Sequence, residues 1–204
     1  MMNRKHMIDW IFFDLGSTLL DETDRVEEKI NNTAELLQID SKTFHAQIEQ
    51  AAKTHPYVVK MDLPNNAEWT PWPKRLDPLY SHAIPVLTEL HKRYKLGVIA
   101  NHGKYTAQLL GIDHFFNVYT ASGALGFGKP DLRIFEMALS QAKCKPENSI
   151  MIGDRLDNDI YPAKKLGMKT MWIRQGYGGM CEPMSEEYMP DYTVYTLPEI
   201  LTIL

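Results

Sequence analysis

The stretch "IDWIFFDLGSTLL", residues Ile8 to Leu20, decides the fold. Trp10 to Phe13 is apolar without alternation, the pattern of a strand buried on both faces, as strands of parallel sheets are. The run stops on a single carboxylate, Asp14, and passes through Gly16, Ser17 and Thr18 before turning apolar again. In open α/β sheets ligands sit outside the carboxyl ends of the strands, so an acid at a strand tip stands where chemistry is done.

The same pattern recurs along the chain. "LGVIANHG" (96–103), "SIMIGD" (149–154) and "TMWIRQG" (170–176) are apolar runs that each close on a polar or glycine-rich turn. Between them "HAIPVLTELHKRY" (82–94), "LRIFEMALSQAK" (132–143) and "DIYPAKKLG" (159–167) carry helical spacing, with Gly167 suited to end a helix. "YTVYTLPEILTIL" (192–204) reads as a last short strand and a helix. Strand and helix in alternation predict an α/β fold, a doubly wound, Rossmann-like parallel sheet with right-handed crossovers. Residues 21–81 break the alternation. "VEEKINNTAELLQIDSKTFHAQIEQAAKTH" is helical in pattern, with Ser41 as an N-cap, and a segment rich in proline and aromatics follows. The predicted division is a core of 1–20 and 82–204 with a small helical cap at 21–81.

Bulk properties exclude several classes. The 204 residues are 44% hydrophobic and 24% charged, as in globular proteins, and the net charge of −4 gives no footprint for nucleic acid. No apolar run reaches the roughly 18 residues that suggest a membrane span. The first residues, "MMNRKHMIDWIFFDLG", place positive charge before an apolar stretch, but Asp9 and Asp14 interrupt it and no small-residue cleavage site follows. A cytoplasmic protein with two reduced thiols, Cys144 and Cys181, is expected; oligomeric state stays open.

Four segments carry the chemistry: Asp14; Asn101 in "VIANHG"; Lys129 in "GFGKPD"; and Asp154, Asp157 and Asp159 in "MIGDRLDND". A parallel sheet gathers these ends, and with them several carboxylates and one ammonium. Such oxygen donors suit Mg²⁺, which keeps positions open for a substrate phosphate. A carboxylate there also serves as a nucleophile toward phosphorus. Asp157 is better read as an acid at the start of a helix; for Asp159 that reading and a site role balance.

The ordered set resembles the haloacid dehalogenase-like hydrolases, a family dominated by Mg²⁺-dependent phosphatases. Its first motif, Asp-x-Asp-Gly-Thr, is matched by Asp14-Leu15-Gly16-Ser17-Thr18. Its second, a strand ending in Ser or Thr, falls on Ala100 before Asn101. Its third is Lys129, and its fourth, Gly-Asp-x₄-Asp, is Gly153, Asp154 and Asp159. The resemblance implies that Asp14 attacks phosphorus and carries an aspartyl-phosphate. It implies that Asp14, the carbonyl of Gly16 and Asp154 hold Mg²⁺ with Asp159 in support, and that Lys129 pairs with Asp14 and the phosphoryl oxygens. Thr18, Asn101 and His102 are the candidate substrate contacts, and the partner is a small phosphorylated compound. The insert at 21–81 sits where the family's first type of cap sits.

Two positions depart from that pattern. The family's second aspartate, which protonates the leaving oxygen, is Gly16 here, and general acid–base help is worth about 10²–10⁴ in rate. The hydroxyl of motif two is absent at Ala100. Three readings follow, in this order: a phosphatase slowed on ordinary alkyl phosphates, a dehalogenase, and a non-catalytic module binding metal and a phosphorylated ligand. Retention of Asp154 and Asp159 speaks against the dehalogenase, because displacing halide needs no Mg²⁺. Among stand-in acids, His102 ranks above Asp21, Glu22 and Asp24 because its pKa range suits proton transfer at neutral pH. Trp69 and Trp72 in the insert read first as packing and second as recognition.

Overall fold

A computed structural model describes residues 8–204; the positively charged start weighed above as a leader falls largely outside them. Six parallel strands form one sheet in the order β3-β2-β1-β4-β5-β6. They are β1 (Trp10–Phe13), β2 (Lys95–Ala100), β3 (Val118–Ala121), β4 (Ser149–Gly153), β5 (Lys169–Ile173) and β6 (Tyr192–Val194). Period-two side chains of β1 go to opposite faces: Ile11 and Phe13 join one buried cluster, Trp10 and Phe12 another. Both faces are covered. Helix α3 (Ala83–His91) lays Val86, Leu87 and Leu90 on the first, and α5 (Leu132–Ala142) lays Ile134, Phe135 and Ala138 on the second. Full burial of such side chains contributes about 1.5–3 kcal/mol each, which explains why the strands read as unbroken apolar runs.

Register aligns the tips. Phe13 stands opposite Val98 of β2 and Ile152 of β4. The N–H of Asp14 then donates to the carbonyl of Ile152 at 2.9 Å, so pairing runs one residue past β1. Asp14, Asn101 and Asp154 therefore leave the sheet at one edge.

The chain enters and leaves residues 21–78 along a short antiparallel ribbon. Leu20 pairs with Leu79, the N–H of Asp21 donates to Pro78 O at 2.8 Å, and that of Tyr80 donates to Leu19 O at 3.0 Å. Beyond it stand α1 (Thr23–Leu36) and α2 (Ser41–Ala52). Ile30, Ala34, Phe44, Ile48, Val58 and Val59 make their own cluster, with Trp69 and Trp72 packed on its margin. The Trp69 indole N–H donates to Met61 O at 2.9 Å, consistent with the packing role expected of it.

Three sequence readings change. Asp40, not Ser41, caps α2: its carboxylate accepts the Thr43 N–H at 2.9 Å, while Ser41 is the first helical residue and donates to Asn31 Oδ1. β3 was not expected, because "VYTA" is four residues long and gives little periodicity. The helix expected over 159–167 is instead a widened π turn at Leu156–Ile160 followed by α6 (Tyr161–Lys165). The last strand leads into α7 (Ile200–Ile203), and α4 (Thr106–Leu109) follows β2. Cys144 and Cys181 are unpaired, and no helix of the described residues is long and apolar enough to cross a membrane.

Candidate active site

A cavity of about 1100 Å³ opens at the strand tips, between the sheet edge and the helical insert. Asp14, Gly16, Lys129 and Asp154 line its floor at the strand tips; Glu22, Arg25, Tyr57 and Trp72 line the wall that residues 21–81 supply. On the floor, Lys129 Nζ donates to Asp14 Oδ1 and to Asp159 Oδ1, both at 2.6 Å. Its side chain is fully buried. Burial opposes the ammonium charge, but Asp14 and Asp159 outweigh it and hold the pKa above the ordinary lysine value.

Two features fix Lys129 where it is. The Asn101 side chain clamps its backbone: Nδ2 donates to Lys129 O and the Lys129 N–H donates to Asn101 Oδ1, both at 2.8 Å. A Cβ on the neighbouring Gly128 would stand 2.3 Å from Asn101 Oδ1, so this approach requires glycine. Asp159 takes Lys129 on Oδ1 and the Arg155 N–H on Oδ2 at 3.0 Å, committing both oxygens to donors. The π turn aims it inward past Gly153, where a Cβ would lie 2.4 Å from its carboxylate. Asp159, within the turn, thus positions the lysine rather than merely starting a helix. Asp157 pairs with Arg155, whose guanidinium lies over the Tyr57 ring at 4.2 Å.

Asp14, Asp154 and Asp159 each bring a carboxylate oxygen within 4.8 Å of the others. Burial, then Asp159 and Asp14, raise the Asp154 pKa well above the carboxylate range, and burial likewise raises that of Asp159. Once all three are ionised, these buried carboxylates exceed the charge of the Lys129 ammonium by two among the described residues, and hard oxygen donors in this number fit a small dication.

The other predicted contacts divide. His102 stands beside the site, its Nε2 3.8 Å from Glu22 Oε1, and burial lowers its pKa despite the nearby Asp14. Thr18 is fully buried and does not line the cavity; its hydroxyl has no hydrogen-bond partner among the described residues. Ser17, with a left-handed φ of 51°, turns its hydroxyl to Glu22 Oε2 at 3.1 Å instead. Sequence reasoning placed Glu22 below His102 among the stand-in acids and did not single out Arg25, Tyr57 or Asp77. Glu22 also accepts from Arg25, whose Nε lies 2.7 Å from Asp77 Oδ2, and burial raises the Glu22 pKa while Arg25 opposes the shift. The one local signal was the Glu22–Arg25 spacing of three.

Comparison with known proteins agrees with this architecture. A sequence profile of haloacid dehalogenase-like hydrolases matches residues 11–173. Glyceraldehyde 3-phosphate phosphatase of Pyrococcus furiosus is 32% identical, the match covering 95% of this chain and 92% of that one. In fold, the chain resembles a HAD phosphatase from Thermococcus onnurineus (TM-score 0.62, 23% identity, 96% and 97% of the two chains). It equally resembles a 2-haloacid dehalogenase from Pseudomonas syringae (TM-score 0.63, 21% identity, 97% and 99%). With a profile spanning most of the chain and strand tips that converge on Asp14, Lys129 and Asp154, this protein belongs to the haloacid dehalogenase-like hydrolases.

Proposed function

We propose that this hydrolase is a Mg²⁺-dependent phosphatase acting on a small phosphorylated compound, with Asp14 as nucleophile and residues 21–81 as a cap over the site. The observation that carries the reading is Lys129, fully buried and 2.6 Å from Asp14 in a cluster whose remaining charge calls for a dication. The phosphatases among its relatives support the same reading.

Asp14, Asp154 and the Gly16 carbonyl are the groups to hold Mg²⁺, with Asp159 behind them. Bound there, the ion would offset phosphoryl charge as the carboxylate approaches. Lys129 meets the same repulsion from the other side, pairing with Asp14 and the phosphoryl oxygens, while Asp159 and Asn101 keep it oriented. An Asp14 oxygen attacks phosphorus, the ester P–O bond breaks, and an aspartyl-phosphate forms; water then releases phosphate. Residue 16 supplies no proton to this sequence, so turnover of alkyl phosphates through it alone is impaired.

Two measurements test the reading. Hydrolysis of p-nitrophenyl phosphate should require Mg²⁺, and acetyl phosphate with Mg²⁺ should leave a phosphate adduct, read by intact mass, that Asp14→Asn abolishes along with at least about 10³-fold of turnover, or some 4 kcal/mol of barrier. Stabilisation by metal and phosphate with no turnover would favour a binding module. Metal-independent release of halide from chloroacetate would favour a dehalogenase.

A further inference from the structure

Motif one lacks its second acid, yet the space beside Gly16 is filled. A Cβ built on Gly16 would lie 2.6 Å from Glu22 Oε2 and 3.0 Å from Glu22 Cδ, so a carboxyl group occupies the volume into which a side chain at 16 would grow. That carboxyl lines the same cavity as Asp14. Glu22 is also the residue that precedes α1, where a side chain ordinarily caps the helix, and it makes no cap bond; Asp21 takes the Thr23 N–H at 3.1 Å instead. Its carboxyl is turned inward and held by Ser17 and Arg25, with Asp77 behind Arg25.

We propose that Glu22 is the relocated general acid and base of this site, with Gly16 and Glu22 together replacing the single aspartate the family carries in motif one. This rests on the phosphatase reading above. When the ester P–O bond breaks, the leaving oxygen takes the proton of the Glu22 carboxyl. The resulting carboxylate then takes a proton from the water that attacks phosphorus, the P–O bond to Asp14 breaks, and Asp14 and the acid form of Glu22 are both restored. The other candidates are placed less well. Asp21 is spent on the helix cap, Asp24 is exposed, and His102 meets the same volume only at 3.0 Å and faces Glu22 rather than replacing it.

The test compares wild type and Glu22→Gln with Mg²⁺ on phenyl phosphate and p-nitrophenyl phosphate, which differ in the basicity of the leaving oxygen. Glu22→Gln should lower kcat/KM on phenyl phosphate, which reports leaving-group departure and not the later hydrolysis shared by both esters, by about 10²-fold or more, and kcat/KM on p-nitrophenyl phosphate by about tenfold less than that, since a weakly basic oxygen leaves without a proton. The variant should also accumulate more phosphate adduct from acetyl phosphate than wild type, because formation needs no acid and hydrolysis needs the base. Equal losses of kcat/KM on both esters, or none, overturn the proposal; a merely structural role would give equal losses. If Glu22→Gln melts far below wild type, the double variant Gly16→Asp with Glu22→Ala decides. Recovery of phenyl phosphate turnover over Glu22→Ala supports relocation, and no recovery overturns it. Wild type inactive on both esters overturns the phosphatase reading itself, a separate outcome.

Discussion

The floor of the cavity and the wall facing it are built on different principles. Asp14 and Asp154 leave adjacent strands, and Lys129 is pinned by two hydrogen bonds to its own backbone and by two carboxylates. The facing wall comes from a helix start and an irregular aromatic segment. There Glu22 and Arg25 keep some solvent exposure, and contacts such as Arg155 over Tyr57 cross from one part of the chain to the other. A site whose attacking carboxylate and lysine are fixed by a sheet, and whose remaining wall is set by less regular structure, keeps its nucleophile while proton transfer and specificity change. The difference teaches where rigidity is placed.

The contrast is broken most severely at Lys129. Lys129→Met removes the ammonium bonded to both Asp14 and Asp159, and breaking a buried ion pair costs about 3–5 kcal/mol. A melting temperature lower by roughly 10 °C, with turnover lost, is expected by calorimetry and assay; a variant as stable as wild type would mean the floor does not depend on this charge.

A milder probe is pH with and without MgCl₂. The folded protein keeps the Asp154 proton above the pH at which the unfolded chain releases it. From the ordinary carboxylate range up to that raised pKa, the native state binds more protons, so stability falls as pH rises. His102 acts in the opposite sense: its lowered pKa costs stability below the ordinary histidine value and not above it. A dication on the ionised cluster should therefore stabilise the fold by up to about 2.7 kcal/mol at a hundredfold excess over Kd, and raise the melting temperature more at pH 8 than at pH 5.5. An Mg²⁺ effect independent of pH would break the link to these carboxylates.

The smallest effect belongs to the facing wall. Tyr57→Leu removes cation–π contacts with Arg155 and Lys60, each worth about 0.5–1 kcal/mol at a partly exposed site, so stability should shift by no more than about 2 kcal/mol. KM should rise severalfold with kcat nearly unchanged. A fall in kcat as large as for a floor residue would erase the distinction between the two regions.

The same distinction separates what was legible in the sequence from what was not. The floor could be read because buried parallel strands have a local signature, and a polar residue ending such a run has few places to go. Asp14, Asn101 and Asp154 announced themselves in this way, and Lys129 did so between glycines and a proline. The detailed work of Asn101 did not: nothing in "IANHG" reveals that its amide holds Lys129, 28 residues away. The facing wall depends on how a helix start leans on a strand loop, which no periodicity encodes. Glu22 was therefore one acid among several, and His102 ranked above it on intrinsic pKa alone. Thr18 rather than Ser17 was the candidate contact, yet the left-handed turn at Ser17 sends the Ser17 hydroxyl to the cavity side and leaves Thr18 buried. β3 was lost for a simpler reason, since four residues that include Tyr119 and Thr120 carry too little pattern to stand out.

The paired ribbon at Leu20 and Leu79 has a mechanical meaning. Two antiparallel segments joined by hydrogen bonds would resist splaying more than torsion, so residues 21–78, hung from them, would move by swivelling about their long axis. Displacement in a swivel grows with distance from the axis. Glu22, one residue past the last rung, would barely shift, while the far end of α2 sweeps a wide arc. An entrance opened in this way would admit and release molecules without carrying the carboxyl away from the atom it serves.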